Sequence, residues 1–311
     1  MKIVQIGTGG WGKNHCRVLS ELGVLSAVCD KDMHLAEEFG KKYSVNFYNS
    51  LETLLEKEEF DAAFICTPTI THADIATKLI ENKKHVFVEK PLTYLSEDGQ
   101  KLVDIANKNN VVLTCGYIER FNPAVSTVKD FLTSKKYGEL IRLEFYREHR
   151  MPQHIKDVGI IYDTAVHDID TAMWLFGKTP EVVFAIAGKI NHEHEDFATI
   201  MLGFKDNKTA TISSNWITPT RVRNFNAVCT DGRIFSDFIT QGIRIETDHG
   251  TENPKNEKTE PLLLEIKNFL DAIETKNDIK VKAEQAVNVT KIAEAALLSS
   301  QKGIPIYLDI K

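Results

Sequence analysis

The first 22 residues, MKIVQIGTGGWGKNHCRVLSEL, leave few folds open. A short apolar run reads as a strand, and helical spacing begins at Trp11. Between them Gly7, Gly9 and Gly12 form GxGxxG, with Gly10 and Trp11 completing the loop. In a strand-loop-helix setting Gly7 permits the tight turn, Gly9 lets backbone approach a pyrophosphate, and Gly12 allows close packing of helix on strand. The helix start adds free N–H groups and partial positive charge for phosphates. Asp30 closes the next strand-like run, LSAVCD, 18 residues after Gly12, where a carboxylate accepts from adenosine ribose hydroxyls. A carboxylate there repels a 2′-phosphate, so the expected cofactor is NAD; Lys31 and Lys41 leave NADP open.

The same rhythm continues through the first third. NFYNS, DAAFICT, HVFVEK and VVLTCGY are further strands, interleaved with helices near 51–57, 71–82 and 96–109. Strands alternating with helices predict parallel βαβ units, hence an α/β doubly wound Rossmann sheet. Beyond residue 120 strand follows strand: EVVFAIAGKI, FATIMLGF, TATISSNWI, NFNAVCT, GRIFSDF and GIRIET. This predicts an α+β domain with a large, mostly antiparallel open sheet flanked by helices. After a polar stretch, DHGTENPKNEKTEP, come two amphipathic helices and a closing strand, IPIYLDI. The expected domains are 1–119, dinucleotide-binding, and 120–311, for substrate and oligomerisation. One face of the second sheet needs cover, which predicts a homodimer or homotetramer.

Composition narrows the function. A net charge of −6, with no long Lys/Arg run, excludes a duplex-binding surface, so nucleic acid is not an expected partner. Five cysteines without a CxxC pair suit buried thiols in a reducing compartment. The apolar N-terminal run is too short for a signal peptide, and no run approaches the roughly 20 residues that span a bilayer. A cytoplasmic protein without membrane contact is therefore expected.

In an open parallel sheet, ligands bind at the carboxyl ends of the strands. CTPTITH and VFVEKP end two of them, each cut short by a proline, Pro68 and Pro91. Thr67, Pro68 and His72 are candidates for the nicotinamide ribose pocket, His72 being equally readable as a surface residue at a helix start. Lys90 stands where an apolar strand stops, with Glu89 beside it as an expected restraint and cofactor-binding candidate. Further on, Asp163 and His167 in DTAVHDID are four apart and share a face if helical. Asp168 and Asp170 lie off that face and read as solvated or capping groups. Their spacing with His167 matches no common metal-ligand pattern, so no metal is expected. NHEHED, residues 191–196, reads as a charged hairpin loop.

GxGxxG, CTPTITH, EKP and DTAVHDID occur in this order in the Gfo/Idh/MocA oxidoreductases, which the chain resembles over essentially its whole length. The resemblance implies that Lys90 is the catalytic lysine at the nicotinamide. It also implies that Asp163 and His167 are the paired aspartate and histidine at the substrate, and that hydride passes from a secondary sugar alcohol to the nicotinamide. A histidine, with an ordinary pKa near ~6.5, can accept the hydroxyl proton. One departure is Ala165, where many relatives carry glycine, and Gly159 is the only glycine left nearby for a close backbone approach. GYIERFNPAV, residues 116–125, is similar to the segment of family members that oxidise the 3-hydroxyl of UDP-N-acetylglucosamine. In that subgroup Arg120 and Asn122 would project at the substrate crevice, Tyr117 reads equally as a core residue or as one stacking on a substrate ring, and Arg147, Arg150, Arg221 and Arg223 are candidates to meet a diphosphate. An inositol or free-sugar dehydrogenase is the neighbouring alternative, and a non-catalytic nucleotide sensor the alternative outside the enzymes.

Overall fold

The computed structural model describes residues 1–152 and 155–308. The N-terminal part alternates β1 (Ile3–Ile6), α1 (Gly12–Glu21), β2 (Leu25–Cys29), α2 (Met33–Tyr43), β3 (Asn46–Tyr48), α3 (Leu51–Lys57), β4 (Ala62–Ile65), α4 (His72–Glu81), β5 (His85–Val88), α5 (Ser96–Asn109) and β6 (Leu113–Cys115). All six strands are parallel, in the order β3-β2-β1-β4-β5-β6. Every residue of β1 and β4 is buried, because helices cover both faces of such a sheet. Two of the helices begin where a side chain supplies an acceptor for a free amide. Asp32 accepts from His34 N–H ahead of α2, and Ser50 accepts from Thr53 N–H ahead of α3.

After a 3₁₀ turn at Ile118–Phe121 and α6 (Pro123–Thr133), the architecture changes to one large sheet. It contains β7 (Leu140–Glu148), β8 (Val182–Gly188), β9 (Phe197–Phe204), β10 (Lys208–Asn215), β11 (Val222–Cys229), β12 (Gly232–Asp237), β13 (Gly242–Thr247) and β14 (Gly250–Glu252). A π-helical turn, Ile161–Ala165, leads into α7 (Val166–Phe176) between β7 and β8. The chain ends with α8 (Pro261–Thr275), α9 (Ala283–Lys302) and β15 (Ile306–Tyr307). The sheet order is β14-β13-β12-β11-β7-β10-β9-β8-β15, antiparallel except for the central pair β7 and β10, where Phe145 sits opposite Ile212. β14 lies inside the polar stretch expected to be loop, and of the expected closing strand residues 309–311 fall outside the described residues.

The division of the chain differs from the expected 119/120 boundary. One compact unit joins Met1–Gly116 to Leu262–Val287; the other joins Tyr117–Pro261 to Asn288–Lys311. The helix α8 thus completes the first unit rather than the second. Phe269 on α8 packs edge-on against Phe64 at 5.3 Å and Phe87 at 5.8 Å, while those two rings stack at 4.6 Å. Thr114 Oγ1 donates to the Val281 carbonyl at 2.8 Å. Burying a phenylalanine stabilises by about 1.5–3 kcal/mol, so the α/β sheet gains from closing its face with the distant helix.

Candidate active site

In the first unit the strand order reverses between β1 and β4, and the loops that carry the motifs leave the carboxyl ends of β1, β4 and β5 beside that point. Gly7 has φ +82°, and a Cβ there would lie 2.4 Å from the Cys66 carbonyl oxygen. At Gly12 a Cβ would come within 2.0 Å of the Gly7 carbonyl oxygen. Gly9, by contrast, has open space around it. Two glycines therefore serve packing and the third leaves room for a ligand. Asp30 Oδ2 accepts from Thr8 N–H at 2.7 Å and Thr8 Oγ1 at 3.0 Å, and Oδ1 accepts from Asp32 N–H at 3.1 Å. A carboxylate has about four acceptor positions, so Asp30 braces the glycine loop and keeps capacity for a ribose hydroxyl. Lys41, one of the two NADP-favouring lysines, is paired with Glu37 at 2.6 Å.

His72 is neither a surface residue nor an open pocket wall. It is 1 % exposed, with Nδ1 2.9 Å from the Pro91 carbonyl and Nε2 2.9 Å from the Thr67 carbonyl. It ties the loop after β4 to the loop after β5, a role for which two ring nitrogens at fixed separation are suited. Thr71 Oγ1 adds bonds to Thr67 Oγ1 at 2.8 Å and the Pro68 carbonyl at 2.7 Å. Lys90 follows directly, joined to Pro91 by a cis peptide bond. Glu89 turns into the core: Oε1 meets His15 Nε2 at 2.8 Å, and Oε2 accepts the Lys90 backbone N–H at 3.1 Å. Its restraint of Lys90 thus acts through the backbone. His15, on α1, escaped the sequence reading. Its signal is a polar residue three positions after Gly12 on the stripe shared with buried Cys16 and Leu19.

In the second unit, Asp163 lies on the π-helical turn and His167 on the first turn of α7. From Ile160 to Met173, every residue is buried except these two. The buried π-turn and the first two turns of α7 thus open at one aspartate and one histidine. π-Turns are rare and concentrate at functional sites. Thr164 Oγ1 donates to Asp163 Oδ2 at 3.0 Å and accepts from Trp216 Nε1 at 3.2 Å, which limits the carboxylate's rotation.

Asp168 and Asp170 are buried ion-pair partners, not solvated or capping groups. Arg147 clasps Asp168 with Nε at 3.0 Å and Nη2 at 2.8 Å, and donates from Nη1 to Glu119 Oε1 at 3.0 Å. Arg120 clasps Asp170 with Nε at 2.9 Å and Nη2 at 2.6 Å. Burial pushes the Asp168 and Asp170 carboxyls up, and the guanidiniums oppose it. Arg120 and Arg147 are 1 % exposed, so the structure commits them to holding α7 in place rather than to an open substrate face. Asn122 is likewise internal: its Oδ1 caps α6 through Ala124 N–H at 3.1 Å, and its Nδ2 donates to the Phe238 carbonyl at 3.0 Å. Tyr117 is 1 % exposed and belongs to the core. Arg150 donates to the Ile217 carbonyl at 3.1 Å. The close approach at Gly159 is to Glu195, whose carboxylate would stand 2.2 Å from a Cβ there. In NHEHED, Glu195 therefore turns inward, and Asp196 is 1 % exposed and accepts from Asn191 N–H at 2.6 Å, so the hairpin is only partly solvated.

Open space over Gly9, closed space at Gly7 and Gly12, and an acid after β2 are what a pyrophosphate and an adenosine ribose require, so the first unit is an NAD-binding oxidoreductase domain. Residues 1–117 match the oxidoreductase family with an NAD-binding Rossmann fold, and residues 125–235 match the GFO/IDH/MocA C-terminal domain. The chain belongs to the Gfo/Idh/MocA family and is an NAD-dependent dehydrogenase. It is 26% identical over 283 residues to UDP-N-acetylglucosamine 3-dehydrogenase of Acidithiobacillus ferrooxidans, covering 88% of each chain. A solved structure of that enzyme superposes with a TM-score of 0.89 at 25% identity, covering 97% of this chain and 98% of that one. Myo-inositol 2-dehydrogenase of Thermotoga maritima is 27% identical over 80% of this chain and 78% of its own length. An oxidoreductase of Agrobacterium radiobacter solved with NAD+ shares the fold, with a TM-score of 0.91 at 19% identity over 99% and 98% of the two chains. Among the described residues, no helix is long and apolar enough to cross a membrane.

Proposed function

We propose that the protein oxidises the 3-hydroxyl of a UDP-N-acetylglucosamine-type nucleotide sugar with NAD. The observation that carries this reading is that the buried stretch from Ile160 to Met173 opens only at Asp163 and His167. Bound NAD supplies the hydride acceptor. His167 takes the hydroxyl proton as hydride leaves the same carbon. The Lys90 ammonium donates to the reacting oxygen and favours its developing negative charge. Asp163, limited in rotation by Thr164, accepts from a neighbouring sugar hydroxyl and orients the ring.

Positive charge near Asp163 supports an anionic substrate over a neutral inositol. Burial, followed by the neighbouring Arg147 and Arg221, pushes the Arg223 guanidinium down to about 10. Arg223 still carries its charge at neutral pH, and its buried Nε has no hydrogen-bond partner among the described residues. His149 adjoins the same group: burial lowers its pKa, Arg223 and Arg221 lower it further, and Asp163 opposes them. A diphosphate would satisfy such an arrangement. Incubation with NAD and a panel of UDP-N-acetylglucosamine, free hexoses and inositols, followed by absorbance of the reduced nicotinamide, tests the reading. UDP-N-acetylglucosamine is expected to turn over fastest. Faster turnover of myo-inositol would move the assignment to the polyol enzymes, and cofactor binding with no turnover on any alcohol would favour a sensor.

The second unit's sheet also supports self-association. Ile186, Met201 and Tyr146 are exposed on the face opposite buried Ala185, Ile200, Leu202 and Phe145. A second copy of this chain would cover them. Sedimentation should give a dimer or tetramer, and a monomer at micromolar concentration would remove this part of the proposal.

A further inference from the structure

We propose that His15 and Glu89 form a buried positioning pair that couples the cofactor-binding helix α1 to Lys90. His15 is 0 % exposed, and its ring lies 5.5 Å from Phe64 and 5.4 Å from Phe87. Its Nε2 is 2.8 Å from Glu89 Oε1, while its buried Nδ1 has no hydrogen-bond partner among the described residues. An imidazolium would leave a buried N–H unmade at Nδ1, a cost of about 1–3 kcal/mol. The neutral tautomer with its proton on Nε2 leaves a lone pair rather than a charged N–H at Nδ1, and donates to the Glu89 carboxylate. The other carboxylate oxygen accepts the Lys90 backbone N–H. One path of bonded groups therefore runs from the helix that begins at Gly12, through His15 and Glu89, to the backbone of Lys90.

Two neighbours fit this role. A Cβ on Gly116, just after β6, would meet the Glu89 carboxyl carbon at 3.0 Å and its oxygens at 3.0 and 3.1 Å, so a glycine there preserves the carboxylate's seat. Cys66 is the third polar group in the cluster, its sulfur within 4.8 Å of the His15 and Glu89 atoms. Burial and the Glu89 charge push the Cys66 thiol well up, which keeps it protonated and makes it a poor metal ligand. The short His15–Glu89 bond already engages the atoms that a metal ion would need.

The proposal rests on the dehydrogenase chemistry assigned to Lys90, and its first readout needs no substrate. Trace acetylation of the NAD-bound enzyme with acetic anhydride, read peptide by peptide, reports the accessibility and basicity of each lysine. In His15→Leu the carboxylate loses its imidazole donor and is freed to turn, loosening its hold on the Lys90 backbone N–H. Lys90 labelling should then change by about threefold or more, and kcat should fall by about tenfold or more with NAD affinity within about threefold. Lys41 and Lys78, on exposed helix faces, should label as in the parent. His15→Gln, whose amide N–H can replace Nε2–H, should restore both readouts. Gly116→Ala, which crowds Glu89 while leaving His15 in place, should reproduce the Lys90 change and serves if His15→Leu does not fold. Unchanged Lys90 labelling in whichever of these variants folds overturns the proposal. So does a labelling change spread over all lysines, a loss of NAD affinity alone, or a His15→Gln variant as impaired as His15→Leu. Should UDP-N-acetylglucosamine not be turned over by the parent, the labelling still decides.

Discussion

Replacing His167 by alanine is expected to lower kcat by about 100-fold or more while leaving the protein folded, because the proposed role is that of a positioned base, which contributes about 10²–10⁴-fold to proton removal. His167 is half-buried, and its removal leaves the buried residues of α7 in place. Lys90→Ala is expected to have a similar effect for a different reason: in the proposed mechanism the alkoxide loses the cation that favours its charge. Asp163→Asn, which keeps the shape and an acceptor, shifts KM more than kcat if its work is orienting the sugar. Steady-state kinetics of the three purified variants, with circular dichroism as a check on folding, give the comparison. Turnover within threefold of the parent in His167→Ala or Lys90→Ala removes that residue from the chemistry.

Arg147→Met lowers stability by about 3–5 kcal/mol, the cost of leaving a buried charge without its partner. The effect is large because this one guanidinium serves two buried carboxylates, Asp168 and Glu119. Set against a typical total of about 5–15 kcal/mol, the variant approaches the unfolding threshold at 37 °C. Adding Asp168→Leu and Glu119→Gln should recover much of the loss, since an apolar or neutral group has no charge to satisfy. Denaturant midpoints of the single and triple variants measure this. A loss below ~1 kcal/mol in Arg147→Met would show that water reaches the carboxylates.

Much of the first unit is legible from residue order alone. The glycine spacing, the apolar runs and the acid after the second strand each follow from local rules, and the sheet order confirms the doubly wound expectation. The antiparallel character of the second sheet was also readable, from strands without helices between them. Pairings across long separations were not. Arg147 lies 21 residues from Asp168, and Arg120 lies 50 from Asp170, so nothing local distinguishes these arginines from ones facing a diphosphate. The two aspartates beside His167 likewise look solvated until their partners arrive from β7 and the 3₁₀ turn. Amphipathic spacing shows that α8 has an apolar stripe but not which sheet the stripe covers. His15 was visible in principle as a polar group on a buried face, yet its partner Glu89 is 74 residues away.

The membership of Leu262–Val287 in the first unit also sets an order of events during synthesis. A ribosome that has delivered the six parallel strands still holds Phe269 and Val281 in reserve, so the nascent NAD domain carries an uncovered aromatic face on Phe64 and Phe87. The second unit's sheet strands emerge while that face waits. The cofactor domain, whose strands are translated ahead of the second unit's sheet, therefore closes only after that sheet has emerged, and a fragment ending at residue 119 lacks the helix that seals its core.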